Sequence, residues 1–349
     1  MPLLSYRQPG LVLHSRGSRA SERQIRDLQR DLRRLGYLKS GIDGHFGAGT
    51  RRAVMALQHD LVGNDGTSSG GDGAASVRLV DFNRNRAPRI TGEADQPLVE
   101  CISDLLESPA VPTLPFVQDP VAENRRIVER IQALPPELVP IPFLLAILKQ
   151  ESGLRHFNEP GPGDDDTFIV VGLDARSDEK HVITSRGYGA GQYTLFHHPP
   201  RREEVTDFML DPGKNLLKAG RELKEKFDRF VNGPTRGTRA EDRTAEIGRG
   251  ALRPCKFDAG DPRFLRDCRQ CALDAGLLDI QEGVTPLFPG SPETCQPTPI
   301  YKTGTYRGVP ARQKVGCDWP YAIRRYNGAG LNSYHYQARV LQHLLTVLG

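Results

Sequence analysis

The chain has 349 residues, 38% of them apolar, with a mean hydropathy of −0.48: long enough for two cored domains, and no membrane anchor is expected. No run reaches the roughly 18 apolar residues of a spanning helix, and residues 1–19 lack the apolar block of a standard secretory signal, which is therefore expected to be absent. Forty-seven basic against 43 acidic residues leave a formal charge of only +4, so bulk electrostatics indicates no nucleic-acid partner.

The first element begins near Ser21, where Ile25, Leu28, Leu32 and Leu35 recur at helical spacing with Gln29 and arginines on the other faces. The local basic excess of residues 16–39 suits an anionic cell wall or, the commoner meaning of such runs, a solvated helix face. Gly36 is a natural left-handed cap, and Tyr37 and Leu38 lead into the glycine turn Gly41-Ile42-Asp43-Gly44-His45-Phe46-Gly47. Thr50 restarts a helix through Ala53, Val54, Leu57 and Gln58. Residues 63–76 are rich in Gly, Ser and Asp and read as a loop or flexible insert. Beyond Ile90-Thr91-Gly92, the spacing of Leu98, Ile102, Leu105 and Leu106 predicts one more helix, and prolines 109, 112, 115 and 120 mark a linker.

The order helix, Leu-Gly-Tyr-Leu, Ile-Asp-Gly-x-Phe-Gly, Thr, Ala-Val-x-x-Leu-Gln resembles the small three-helix peptidoglycan-binding domain over about forty residues. The resemblance implies a wall-binding role for Tyr37, Asp43, Phe46 and Thr50. We therefore expect a peptidoglycan-binding domain at 1–110, a linker at 111–122 and a second domain at 123–349.

In that second domain, residues 141–153 form a helix with Pro142 near its start, apolar on nearly every face and ended by Gly153. Glu151 falls in its last turn, where apolar surroundings and the negative end of the helix dipole both favour a protonated carboxyl, as a general acid requires. Read alone, Glu151 is equally a glutamate exposed at a helix end.

Three ordered segments resemble soluble lytic transglycosylases and goose-type lysozymes. They are Glu151-Ser152; Gly187-Tyr188-Gly189-Ala190-Gly191-Gln192-Tyr193, which matches the family's Gly-Leu-Met-Gln only at Gly189 and Gln192; and Tyr326-Asn327 followed by Tyr336 and Val340. Asp211-Pro212, Asn215 and Gly220 follow the family's pattern between them. The resemblance implies a mostly α, lysozyme-like (α+β) catalytic domain that cleaves between N-acetylmuramic acid and N-acetylglucosamine. Glu151 would be its acid and base, with Ser152, Gly189, Gln192, Tyr193, Tyr326, Asn327 and Tyr336 binding or packing the sugar. Ala190-Gly191 depart from the family's Leu-Met, and this departure carries the alternative of a non-catalytic wall-binding protein.

Between Glu151 and Gly187 stand Asp164, Asp165, Asp166, Asp174 and Asp178. One of them facing Glu151 would make a hydrolysing muramidase; a calcium loop is disfavoured because adjacent aspartates cannot share one ion, leaving a solvated acidic loop. His197-His198 lacks the partners of a metal site, no nucleophile–base set supports a peptidase, and residues 203–230 read as an ordinary amphipathic helix. No cofactor or metal is expected. Six cysteines, four of them between Cys255 and Cys295 within an insertion at about 232–320, favour disulfides over a zinc site built on Cys268 and Cys271. That usage points to the periplasm or the cell wall, reached by a non-Sec route as a phage lysin or a secreted antibacterial effector; a cognate immunity protein is expected only for the effector.

Overall fold

The structure, a computed structural model, describes residues 4–15, 20–87, 89–135, 138–229 and 318–328, and positions 336, 339, 340 and 343. These residues are mostly helical and fall into two compact units: 1–127 with 155–215, and 128–154 with 216–349. The expected boundary at 111–122 is not the one the contacts draw. Residues 111–122 pack as part of the first unit: Val111 and Leu114 are buried, Leu114 donates its N–H to Arg34 O at 2.8 Å, and Val117 donates to Thr167 O at 3.2 Å.

In the first unit, α1 (Glu22–Arg34) starts at a capping box in which the Ser21 hydroxyl accepts from Gln24 N while the Gln24 side chain accepts from Ser21 N. It ends where Gly36 enters the left-handed region, at φ 80°, and Tyr37 N reaches back to Leu32 O at 2.9 Å. Helix α2 (Ala48–Gly63) begins two residues before Thr50, with Gly47 as a cap that lends no side chain. After the short α3 (Val80–Asn83), α4 (Gln96–Glu107) starts on Asp95, whose carboxylate accepts from Leu98 N at 3.1 Å. The loop of residues 63–76 is fastened rather than free: Asp72 accepts from Phe196 N at 2.8 Å.

A three-stranded antiparallel sheet, whose strands the sequence reading did not place, follows: β1 (Val171–Ala175), β2 (Ile183–Tyr188) and β3 (Tyr193–Leu195), in that order. The apolar faces of α1, α2 and α4 and of this sheet share one core, in which Leu28, Leu32, Leu57 and Ile102 are continuous with Phe157, Ile169 and Tyr188. This is why the peptidoglycan-binding motif does not close on itself as a separate domain.

The acidic run is likewise tied to the fold, and only Asp166 of the three is buried. Asp166 pairs with Arg33, both buried, Asp165 faces Arg26 and Arg30 at 3.4 and 3.5 Å, and Asp164 accepts from Ile42 N at 2.7 Å. The single amphipathic helix expected at 203–230 is three pieces: α7 (Arg202–Glu204), a π-helical turn (Val205–Met209), and α8 (Pro212–Phe227), which Asp211 starts.

Helix α5 (Pro120–Gln132) precedes α6 (Ile141–Ser152). In the second unit α6 buries Phe143 through Leu148, and ends on Gly153 at φ 66°, as its apolar composition requires. Helix α9 (Asp318–Tyr326) packs on α6, and Trp319 stacks on Phe227 with ring centroids 4.1 Å apart. Cys255, Cys268, Cys271, Cys295 and Cys317, with residues 232–317 of the insertion, lie outside the described residues. Cys101 is a fully buried free thiol, so it is not one of the expected disulfide partners.

Candidate functional site

The second unit brings Glu151, Tyr326 and Tyr336 together. Glu151 is half-buried in the last turn of α6, and Tyr336 donates its hydroxyl to Glu151 Oε1 at 2.5 Å. The rings of Tyr326 and Tyr336 stack with centroids 6.4 Å apart and 19° between their planes. Burial first, and then the negative charges of Glu151 and Glu222, push both phenols well above their ordinary value, so both remain O–H donors at any physiological pH. Glu222, on α8, is therefore a second carboxylate acting on this cluster. Its position between Leu216 and Leu223 on an amphipathic helix gave sequence reasoning no signal. Gln150 is held by His343 at 3.2 Å. Ser152 turns its hydroxyl back to Leu148 O at 3.0 Å, and Asn327 is exposed just past α9.

Gly189, Gln192 and Tyr193 lie in the first unit, in the turn joining β2 to β3. The turn is built from the inside. Gly189, at φ 72°, presses on buried His156: a Cβ there would sit 2.4 Å from His156 Cε1. His156 Nδ1 accepts from Ala190 N at 3.2 Å and Nε2 faces Met209 O at 2.9 Å, an arrangement that suits a neutral ring protonated on Nε2. Asn215 accepts from Gly191 N at 2.8 Å and donates to Tyr188 O and Phe208 O at 2.9 and 3.0 Å. The π-helical turn presents the Phe208 and Met209 carbonyls for these bonds.

The Gln192 amide donates to Gly189 O at 2.8 Å and lies over Gly172 and Gly187, which are paired across β1 and β2; a Cβ on either would fall within 2.7 Å of Gln192 Oε1. Tyr193 stacks on Phe208 with centroids 4.2 Å apart. All of these contacts lock the turn, and the Ala190-Gly191 departure fits them: Ala190 is fully buried, where a larger residue would be crowded.

In α1 and α2 the two glutamines after leucine do the same work. Gln29, 1% exposed, donates to Asp43 Oδ1, His45 O and Thr50 Oγ1 at 2.8, 3.1 and 2.9 Å, while its carbonyl accepts from Gly44 N at 2.8 Å. Gln58 donates to Thr91 and Glu93 and accepts from Thr91 N and Gly92 N, at 2.9–3.1 Å. Each glutamine pins a glycine turn. Thr50 is buried and Phe46 is packed into the core, so these two do not reach the surface; Asp43 is exposed but occupied with the turn. Tyr37, also buried, gives its hydroxyl to Asp60 at 2.8 Å.

His197 bridges two carboxylates, with Nδ1 3.1 Å from Asp72 and Nε2 2.9 Å from Glu204. His198 is buried edge-on to Tyr37 at 5.0 Å, and burial, then Arg186, drive it well below its ordinary value, leaving it neutral. The adjacent histidines thus serve two different structural contacts.

Residues 21–61 are a helical module built on a glutamine-pinned glycine turn. They match the family model described as "Putative peptidoglycan binding domain", which points to peptidoglycan as the ligand of this part of the chain. No curated protein and no solved structure matches the chain.

Proposed function

We propose that this protein binds peptidoglycan and cleaves its glycan strand between N-acetylmuramic acid and N-acetylglucosamine as a lytic transglycosylase, with Glu151 as the acid and base. The observation that carries the reading is the Tyr336 hydroxyl donating to Glu151 Oε1 at 2.5 Å within a pair of stacked tyrosines. A donor fixed on Oε1 orients the carboxyl and leaves the acidic proton to Oε2. That proton passes to the glycosidic oxygen as the bond from C1 breaks. The muramic acid 6-hydroxyl then bonds to C1, and its proton returns to Glu151, so no water is consumed. The exposed amide of Asn327, in the same unit as Glu151, is the group we assign to the sugar.

A hydrolysing muramidase is the second reading. It needs a second carboxylate to activate water, and Glu222 of α8, in the same unit as Glu151, is the one we assign to it.

Mass spectrometry of products released from purified sacculi tests both. Anhydromuramyl ends, lighter by one water and lost in Glu151→Gln, are the expected result. Reducing muramic acid ends lost in both Glu151→Gln and Glu222→Gln would establish the muramidase; no glycan cleavage by the wild type would refute both.

A further inference from the structure

A cavity of about 430 Å³ lies in the first unit, between the start of α2 and the β1–β2 hairpin. Its floor is apolar: Tyr37 and Ala53 come from the helical module, Leu173 and Ile183 from the sheet. Its rim carries Lys39, Arg52 and Lys180, all exposed. Nearby basic side chains are committed elsewhere: Arg26 and Arg30 face Asp165, and Arg33 pairs with Asp166. By contrast, Lys39, Arg52 and Lys180 form no ion pair among the described residues. One carboxylate, Asp174, shares the rim; it accepts from the Ser185 hydroxyl at 2.8 Å and forms no ion pair among the described residues. The site thus offers three cations, one anion and a small apolar floor, with Gly49 of α2 also in its lining.

We infer that this cavity binds the stem peptide of peptidoglycan, not its sugar. The free carboxylate of a diamino acid would lie on Lys39, Arg52 and Lys180, its ammonium on Asp174, and the methyl groups of neighbouring alanines on the floor. A glycan is neutral along most of its length and would leave the three cations unanswered, whereas a zwitterionic side chain answers both signs at once. Five of the twelve lining residues come from the hairpin, outside the residues of the family match, so the specificity belongs to this chain. The inference rests on the reading of residues 21–61 as peptidoglycan-binding.

The test is pull-down in the non-cleaving Glu151→Gln background, using three kinds of sacculi: intact diaminopimelate-type, the same stripped of stem peptides by an amidase, and walls whose diaminopimelate carboxylate is amidated. We expect tight binding to the first and a drop of about tenfold or more on the other two. Arg52→Ala with Lys180→Ala, both at exposed positions, should lower binding to intact sacculi to a similar degree with an unchanged circular dichroism spectrum. Equal binding to stripped sacculi, or full binding by the double variant, would overturn the cavity while leaving wall binding intact. No binding to any sacculi would overturn the wall-binding reading itself, and the cavity with it.

Discussion

Acid should loosen the first unit through Asp60. This buried carboxylate accepts from Tyr37 at 2.8 Å and lies 3.1 Å from Arg186 and 3.4 Å from His59. Burial by itself favours the neutral acid, but the hydrogen bond from His59, the Arg186 guanidinium and the Tyr37 hydroxyl outweigh it and hold the carboxyl at about 2, against 3.8 for an unperturbed group. A folded value below the unfolded one contributes stability that is present above 3.8 and is lost as pH falls through about 2. The difference corresponds to about 2 kcal/mol.

Asp60→Asn preserves shape but strands buried Arg186 without its counter-charge, a loss of about 3 kcal/mol at pH 5. The gap between wild type and variant should then shrink by about 2 kcal/mol on going to pH 2. His59 is raised by its bond to Asp60 against the effect of burial, so its own contribution is complete below 6.5 and lost at higher pH; working at pH 6 and below keeps it constant. The assay is urea unfolding followed by hydrogen–deuterium exchange of peptides within residues 21–61, because the single tryptophan, Trp319, reports on the other unit. A gap that stays the same from pH 6 to pH 2 would refute the assignment.

Two substitutions test how the turns are held. Gln29→Ala orphans the Gly44 N–H and removes the donor to Asp43 and Thr50, and should cost about 2–3 kcal/mol in chemical denaturation; a cost under about 1 kcal/mol would mean the glycine turn stands without it. Gly189→Ala adds left-handed strain to a clash with His156 and should cost about 3 kcal/mol, whereas Gly161→Ala, with open space around its Cβ, should stay within about 0.5 kcal/mol. Equal thermal shifts for the two would contradict the buried clamp.

The helices were legible where a periodic apolar face coincided with punctuation: Ser21 and Gly36 bound α1, and Pro142 and Gly153 bound α6. What could not be read were the pairings made at long range. β1 and β2 have few large apolar residues and two facing glycines, Gly172 and Gly187, so period-2 patterning is weak. Prolines 112, 115 and 120 look like a linker in isolation, yet the segment is tied to the first unit, with Val111 and Leu114 buried and Arg34 O and Thr167 O accepting its amides. In the acidic run, local sequence suggests solvation, and only the fold supplies Arg33. In the second unit, Glu151 and its two tyrosines were singled out by order along the chain, while Glu222 became visible only through its effect on them.

The residues by which 21–61 is recognised are thus mainly those that hold the fold. Leu28 and Leu57 are core, Gln29, Asp43 and Thr50 tie one turn, and Gln58 ties another. A polymer outside the protein can touch only what these leave exposed, among them Lys39, Ser40, Arg51 and Arg52, and nothing in the motif dictates those identities. The match therefore speaks for a scaffold and a general ligand. Which part of that ligand is held must depend on the exposed residues and on what packs beside them. Here the neighbour is the β1–β2 hairpin, whose Asp174 and Lys180 complete a rim of mixed charge that the helical module alone does not possess. If recognition were a property of the motif, replacing the hairpin residues would leave binding unchanged; if it arises where module and hairpin meet, Lys180 and Asp174 matter as much as Arg52.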